Sequence, residues 1–598
     1  MKSSIYKLSV LYLCFLLLTG CANVSDTPMQ VNQQLASPYT MPAATYLAQA
    51  KERSGEEEQR LRIMAAGRLI HEGQWQQGQA ILSRVNHLSS DLADKKNLLL
   101  AKIEIIRDRP QSAVKTLAKI QNIQNLPIYY QAQYHELLAE AYKNTSKVSL
   151  AVEERIKLSR LLPDEPSKAN NLRALWLALA TEPTQELNTL ALEEEDGSEL
   201  KGWIELALLS REDYSNPGDM VKAIQNWKSQ YTAHPAHSLL NASSLDQKLI
   251  SHPRQVALLL PLSGSLGGPG MAIRDGFMAA YKRSQDSGGL TVRFYDTNQS
   301  DPIVLYQQAL DEGADYVVGP LTKSDVAKVA SLNHPVPTLF LNDLNGHVKE
   351  NAYQFGLSPT NEARQVASKA RLNGHTRALV IAPEGGWGDE VVAAFSQQWR
   401  ANGGRVVDTL QYGSNDNLNQ SIRDFLHISN SEARKKAIKE ALGRNIEATP
   451  RRRQDFDMVF LLAYPSKARQ IMPLLRYYYA GDVPVYSTSS VYGGHPNSLK
   501  DRDLNGIMFC DMPWVFEHNL GYKSWPEQLN SYNRLYALGM DSYELSNQLN
   551  QLLVFPAMGV RDKSGILYLN PNGQIARISA WGQFKQGLVE PMNKLSVT

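Results

Sequence analysis

The sequence predicts a chain of two unlike halves, an all-α half followed by an α/β half of two lobes. Three observations carry this. From about Pro42 to Ile250 apolar residues recur every three or four positions and β-branched runs are rare, the spacing of helices with one buried face. From Gln255 onward, short apolar runs alternate with helical segments, as in parallel strands covered by helices. That alternation comes in two successive sets, which implies two lobes.

Before the helical half stands a leader. Residues 1–20 read as a secretory signal peptide: Lys2 and Lys7 supply positive charge, and Leu8–Leu18 is apolar but too short to span a bilayer. Leu18-Thr19-Gly20-Cys21 resembles a lipobox. That resemblance implies cleavage before Cys21, a diacylglycerol on its thiol and an acyl chain on the new amine. Each buried methylene is worth about 0.8 kcal/mol, so several chains anchor a protein firmly. Ala22, where an Asp would retain such a protein at the inner membrane, implies an outer-membrane address facing the periplasm. Residues 21–41, polar and with Pro28 and Pro38, read as the lipidated, flexible tether.

Composition fits a water-soluble body behind that anchor. Of 598 residues, 43% are hydrophobic and 20% charged, and the net charge of +2 falls to 0 once Lys2 and Lys7 leave with the signal. No global charge favours nucleic acid. With Cys14 in the signal and Cys21 lipidated, Cys510 is the one remaining thiol and is expected to be buried.

The helical half, 42–250, carries a weak internal repeat. Ala80, Ala113 and Ala151 lie in similar settings, 33 and 38 residues apart. Tyr142, Ala151 and Pro163 fall at the offsets of a large residue, a small residue and a closing proline. Helices approach closely only where a side chain is small, and proline stops the second helix. This half resembles a tetratricopeptide solenoid, an architecture that offers surface to partners. The acidic run Glu193–Asp196 reads as a solvated turn, and His234-Pro235-Ala236-His237 as linker with no companion zinc ligands.

The second half, 255–598, opens with Gln255–Leu262, a continuous apolar strand of the buried parallel kind. Strands follow at Leu290–Tyr295, Tyr316–Gly319, Pro337–Asn342, Ala378–Ala382, Arg405–Tyr412, Met458–Ala463 and Val485–Ser487, with helices between. Val256–Gly264, the Gly319-Pro320 turn, Phe355–Pro359, Trp387-Gly388 and the hairpin Gly565–Gly573 together resemble type I periplasmic binding proteins. That resemblance implies a cleft between lobes lined by Ser263, Gly264, Thr322, Asn342 and Trp387, a place for a small solute.

A lipobox, a tetratricopeptide-like half and a binding-protein-like half, with Pro450–Asp457 and Leu259–Gly267, resemble the family of outer-membrane lipoprotein activators of penicillin-binding protein 1A. The resemblance implies a non-enzymatic regulator. It would dock on this bifunctional class A peptidoglycan synthase and shift it toward faster peptide cross-linking, within the limit set by differential affinity. The alternative is a receptor for a small solute in the interlobe cleft. Fragments of a serine penicilloyl signature (Ser112–Lys115, Ser331–Asn333, Lys563–Gly565) are scattered over both halves, which argues against an enzyme. Gly264–Gly270 lacks the Lys of a phosphate loop and the third Gly of a dinucleotide fingerprint, and no metal or cofactor site emerges. Arg434 to Arg453 holds eight Lys or Arg against two Glu. Within it, Arg451, Arg452 and Arg453 are expected to serve partner docking or lobe packing.

Overall fold

A computed structural model describes residues 37–592, apart from 181, 213, 215, 241–249, 285–288, 345, 444–446, 448, 519–531 and 557–558. The signal peptide, Cys21 and the tether up to residue 36 lie outside the described residues. Residues 37–41, assigned to the tether by sequence, are docked: Tyr39 is buried edge-to-face against Tyr129, and Arg68 Nη1 donates to its carbonyl at 3.1 Å.

The first half is helical, and its first three hairpins share one design. The pairs are Glu56–His71 with Trp75–Leu82, Ser90–Ile106 with Pro110–Leu117, and Ile128–Lys143 with Val148–Leu161. Each turn holds one left-handed residue, Gly73, Asp108 and Ser146 in succession. In each, the next amide reaches back five residues: Gln74 to Leu69, Arg109 to Glu104 and Lys147 to Tyr142. Five residues beyond each left-handed position stand Gly78, Ala113 and Ala151, all buried where the paired helices touch. Two of the three alanines singled out by sequence therefore hold their place, whereas Ala80 is exposed and Gly78 takes its role. A side-chain Cβ at Gly78 would stand 2.7 Å from Ile70 Cγ1. Pro163 follows directly on the end of the third hairpin.

Beyond Pro163 the helices Glu165–Ala180, Thr184–Glu193, Glu199–Leu209 and Pro217–Gln230 close around a second core centred on Trp176, Trp203 and Trp227. The segment read as linker belongs to it. His234 is buried between Trp203 and Trp227, and the chain continues as a short 3-10 turn, Pro235–Leu239.

The second half contains two parallel sheets of one topology. The first lobe holds β1 (Gln255–Leu260), β2 (Thr291–Asp296), β3 (Tyr316–Val318), β4 (Thr338–Phe340) and β5 (Ala352–Gln354), in the order β2-β1-β3-β4-β5. The second lobe holds β6 (Arg377–Pro383), β7 (Arg405–Tyr412), β8 (Met458–Leu461), β9 (Val485–Ser487) and β10 (Ile507–Asp511), in the order β7-β6-β8-β9-β10. Both are the 2-1-3-4-5 doubly wound arrangement, in which ligands sit at strand C-termini. The central strands are buried on both faces, hence their unbroken apolar sequence.

Three further elements complete the second half. A small antiparallel sheet comprises β11 (Val560–Asp562), β12 (Gly565–Leu569) and β13 (Ile575–Ile578), and it touches β5 through a bridge between Gln354 and Gln574. Then β14 (Ala580–Lys585) pairs antiparallel with β10 and with β15 (Leu588–Pro591), extending the second lobe's sheet to seven strands. The helix Asn533–Val554 packs along Gly267–Arg283 of the first lobe. Contact there is backbone on backbone: a Cβ at Gly276 would stand 2.0 Å from Tyr536 O, and one at Gly539 2.0 Å from Ile273 O. At its C-terminus, Val554 and Phe555 enter the tryptophan core of the helical half. The helical half also meets the second lobe, where Thr376 Oγ1 donates to Glu72 O at 2.9 Å beside the first hairpin turn.

Candidate functional site: the cleft and hinge between the lobes

Ser263 and Gly264 follow the C-terminus of β1, Thr322 that of β3 and Asn342 that of β4, while Trp387 stands in the first turn of the helix Gly386–Ala401 that follows β6. Most serve to shape the loops on which they stand. Ser263 Oγ accepts from Asn298 Nδ2 at 3.2 Å. Its hydroxyl also bonds Asp296. Burial works to raise that carboxyl, but the Ser263 hydroxyl and the amides of Asn298, Leu262 and Ser263 outweigh it and hold it below its usual range. Gly264 adopts φ +69°, and a Cβ there would meet Asn298 Nδ2 at 2.5 Å, so the turn needs glycine. Thr322 caps the helix Lys323–Ala330, accepting from Asp325 N at 3.2 Å. Asn342 Nδ2 donates to Leu321 O at 2.9 Å.

On the second lobe, Trp387 stacks on Tyr464 with ring centroids 5.1 Å apart and planes 13° from parallel. The residues beside two of these positions bring the lobes together at the mouth. Lys323, next to Thr322, lies 3.6 Å from Glu390, one turn beyond Trp387. Both side chains are exposed.

The hinge side is built from buried charge. Glu362, on the helix Pro359–Leu372 that opens the second lobe, pairs through Oε1 with Arg577 of β13 and accepts from Ser489 N through Oε2 at 2.9 Å. Arg534, at the start of Asn533–Val554, donates from Nε to Asp511 Oδ1 at 2.9 Å and from Nη2 to Tyr492 O at 3.0 Å. Cys510 is buried between these pairs, with Sγ 3.8 Å from Glu362 O, and burial pushes its thiol well above the ordinary cysteine value. A thiol so enclosed packs the junction between the two pairs, and its protonated form is favoured. Sequence reasoning missed Tyr464, Lys323, Glu390 and both hinge pairs. The hinge partners are far apart in sequence and no local pattern marks them.

The basic segment divides. Arg452 and Arg453 are largely buried, which assigns them to lobe packing. Arg452 Nη2 pairs with Asp482 at 3.0 Å and its Nε donates to Tyr479 O. Arg453 pairs with Asp408 and Asp455, each at 2.8 Å. Arg451 is exposed, and its amide donates to Ser431 Oγ at 2.9 Å. Among the described residues, no group of three or more His, Cys, Asp or Glu is placed to hold a metal ion, and no helix is long and apolar enough to cross a membrane.

Comparison with known proteins places this architecture. The sequence model of the family described as "LppC putative lipoprotein" matches residues 38–587, both halves together. The chain belongs to the LppC lipoprotein family. Full-length relatives of this LppC chain include a protein of Photobacterium profundum named penicillin-binding protein activator LpoA, 29% identical, with 99% of this chain and 98% of that one covered. A Vibrio vulnificus protein of the same name is 28% identical over 94% and 96%. The crystal structure of full-length LpoA from Haemophilus influenzae shares the fold, with a TM-score of 0.50 at 24% identity over 94% of this chain and 99% of that one.

Proposed function

We propose that this LppC-family chain is an outer-membrane lipoprotein that binds and activates a bifunctional class A penicillin-binding protein, 1A, and so stimulates peptide cross-linking of peptidoglycan. The observation that carries the reading is the extent of likeness: relatives named penicillin-binding protein activators align with helical half and two-lobed half as one unit. A solute carrier has no use for a helical half fastened at both lobes, through Thr376 and through Val554 and Phe555. The protein acts on its partner without chemistry of its own. The cleft residues Ser263, Gly264, Thr322 and Asn342 serve as loop scaffolding, and Trp387 forms half of an aromatic pair. The lipid on Cys21 tethers the body to the periplasmic face of the outer membrane, and the body stabilises the synthase conformation that it binds more tightly.

The test is a reconstituted cross-linking assay. Residues 22–598, the purified synthase and lipid-linked precursor are combined, and cross-linked muropeptides are quantified with and without the lipoprotein. Faster cross-linking together with direct binding supports the proposal. Neither binding nor stimulation overturns it. For the anchor, Cys21→Ala is expected to move the protein from the membrane pellet to the soluble periplasmic fraction, and persistence in the pellet at high salt overturns lipidation.

A further inference from the structure

Residues 37–41 cross the helical half outside any helix or strand, and the helical half is shaped to receive them. Tyr39 is 5% exposed. The pocket under its ring is lined by Ile70 and His71 of the helix Glu56–His71, Leu98 and Lys102 of Ser90–Ile106, and Gln133 and Leu137 of Ile128–Lys143. These are the first helices of the three hairpins, so the ring sits in the groove that they form together. About 10 Å³ remains beneath it, room for a water molecule at most.

Two features make this a built seat. Gly67 lies inside the helix Glu56–His71, where glycine is less stable than alanine. A Cβ there would stand 2.2 Å from Tyr39 Cε1, and its three nearest neighbours are all atoms of that ring. The helix thus gives up stability where the ring lies. Tyr46 supplies the second feature. Its ring is buried, and its hydroxyl donates to Pro38 O at 3.3 Å while accepting from Thr40 N at 3.1 Å and Met41 N at 3.2 Å. One phenol therefore serves three backbone groups of a segment that has no ladder of its own. Arg68 Nη1 holds the Tyr39 carbonyl, and the Tyr39 hydroxyl donates to that of Tyr130.

We infer that residues 37–41 are a clasp, which closes the groove of the first three hairpins with the chain's own Tyr39 and fixes the point from which the chain turns toward its anchored end. Closed, it leaves the groove no room for another segment. The clasp opens by local unfolding, since one ring and a few hydrogen bonds hold it and no helix or strand depends on it. Its consequence for reach rests on the lipid-anchor reading above. With the clasp closed, only residues 22–36 separate Cys21 from the body, about 50 Å at full extension. Opening adds residues 37–42, about 20 Å more.

The experiment begins with residues 22–598 without lipid. Gly67→Ala drives a methyl group into the ring's place, and Tyr46→Phe removes the hydroxyl while keeping the buried ring. Each is expected to speed chymotrypsin cleavage after Tyr39 and hydrogen exchange at the Met41 amide about tenfold or more, as loss of the contacts that hold a local closed state does. Gly67→Ala should leave the melting temperature unchanged or raise it, because alanine suits the helix better. Tyr39→Ala should speed Met41 exchange by itself, and adding Gly67→Ala to it should change nothing further, since the two act on one contact. Wild-type rates in both Gly67→Ala and Tyr46→Phe overturn the clasp, as does additive opening in the double variant. Reach is then read with the lipidated chain on vesicles of phosphatidylethanolamine and phosphatidylglycerol, by energy transfer from a fluorophore on Ser83→Cys to a labelled lipid. Ser83 is exposed, and Cys510 is buried and does not compete for the label. Gly67→Ala is expected to lower the transfer, and equal transfer overturns the reach. A wild-type chain that does not stay on the vesicles overturns the lipid-anchor reading, and the clasp, tested without lipid, stands.

Discussion

The two sides of the interlobe junction are held by charge in opposite ways. On the hinge side, Arg577 and Glu362 are 5% and 3% exposed, and Asp511 opposite Arg534 is fully enclosed. At the mouth, Lys323 and Glu390 are 60% and 43% exposed. An enclosed carboxylate stripped of its partner has no water to turn to, whereas an exposed one rehydrates at once. The lobes are thus fixed at one edge and only lightly joined at the other, and any relative motion is an opening of the mouth about the hinge.

Breaking the hinge should produce the largest effect. Arg577→Ala or Arg534→Ala is expected to destabilise the two-lobed half by about 3–5 kcal/mol, because each leaves a buried carboxylate unpaired. Replacing the pair together, Arg577→Met with Glu362→Leu, should recover most of that loss. Denaturant unfolding of the three proteins decides it, and a double variant as unstable as the single one would deny that unpaired charge is the cause. The helix that carries Arg534 has a second weak point. Gly539→Ala puts a methyl group 2.0 Å from Ile273 O, where backbone must move. Overpacking of this kind costs about 1–3 kcal/mol. A melting temperature unchanged by Gly539→Ala would mean that the two helices part easily.

Both lobes were legible in the sequence, because buried parallel strands are written as local apolar runs: Val485–Ser487 and Arg405–Tyr412 match the observed strands end to end. The strands from β10 onward were less so, apart from the hairpin at Gly565–Gly573. In β14, burial alternates with half-exposure along Ala580–Lys585, and only its antiparallel place beside β10 gives the pattern meaning. The cleft-facing loops were found from turn residues, yet what those residues do there was not, since Ser263 and Asn342 bond to groups that only folding brings near. Arg577 and Glu362 lie 215 residues apart, so their pairing is a property of the topology.

The helical half repeats the contrast between enclosed and open positions on a smaller scale. Ala151→Leu and Ala113→Leu should each cost about 1–3 kcal/mol by overpacking the hairpin contact, while Ala80→Leu should stay within about 0.5 kcal/mol on its exposed face. Thermal melts of the three variants would separate the hairpin register set by Gly78 from the one read in sequence, in which Ala80 costs as much as its counterparts. His234 extends the contrast to pH. Burial pushes its imidazole down to about 4 from an ordinary 6.5, the carbonyl of Glu199 opposing and His237 adding slightly. The fold keeps it neutral, so its contribution is complete above about pH 6.5 and is lost as pH falls toward about 4, where the unfolded chain takes up a proton that the folded chain resists. His234→Gln should flatten the fall of melting temperature between pH 6.5 and 4, and an unchanged slope would assign that fall to other groups.

The smallest effect belongs to the mouth. Lys323→Ala should alter stability by about 0–1 kcal/mol, and less at high salt, because both partners are already hydrated. Its value lies in what else moves. If the Lys323–Glu390 pair, 3.6 Å apart, is the latch opposite a fixed hinge, Lys323→Glu replaces that attraction with two like charges and favours an open mouth without touching the enclosed pairs. A spin label placed on each lobe, at Ser324 and Asp389, would read the distance across the cleft. A broadened, longer distribution in Lys323→Glu with an unchanged melting temperature is the expected result. An unchanged distribution would mean that the hinge alone sets the closure, and that the enclosed arginines fix the angle between the lobes as well as their attachment.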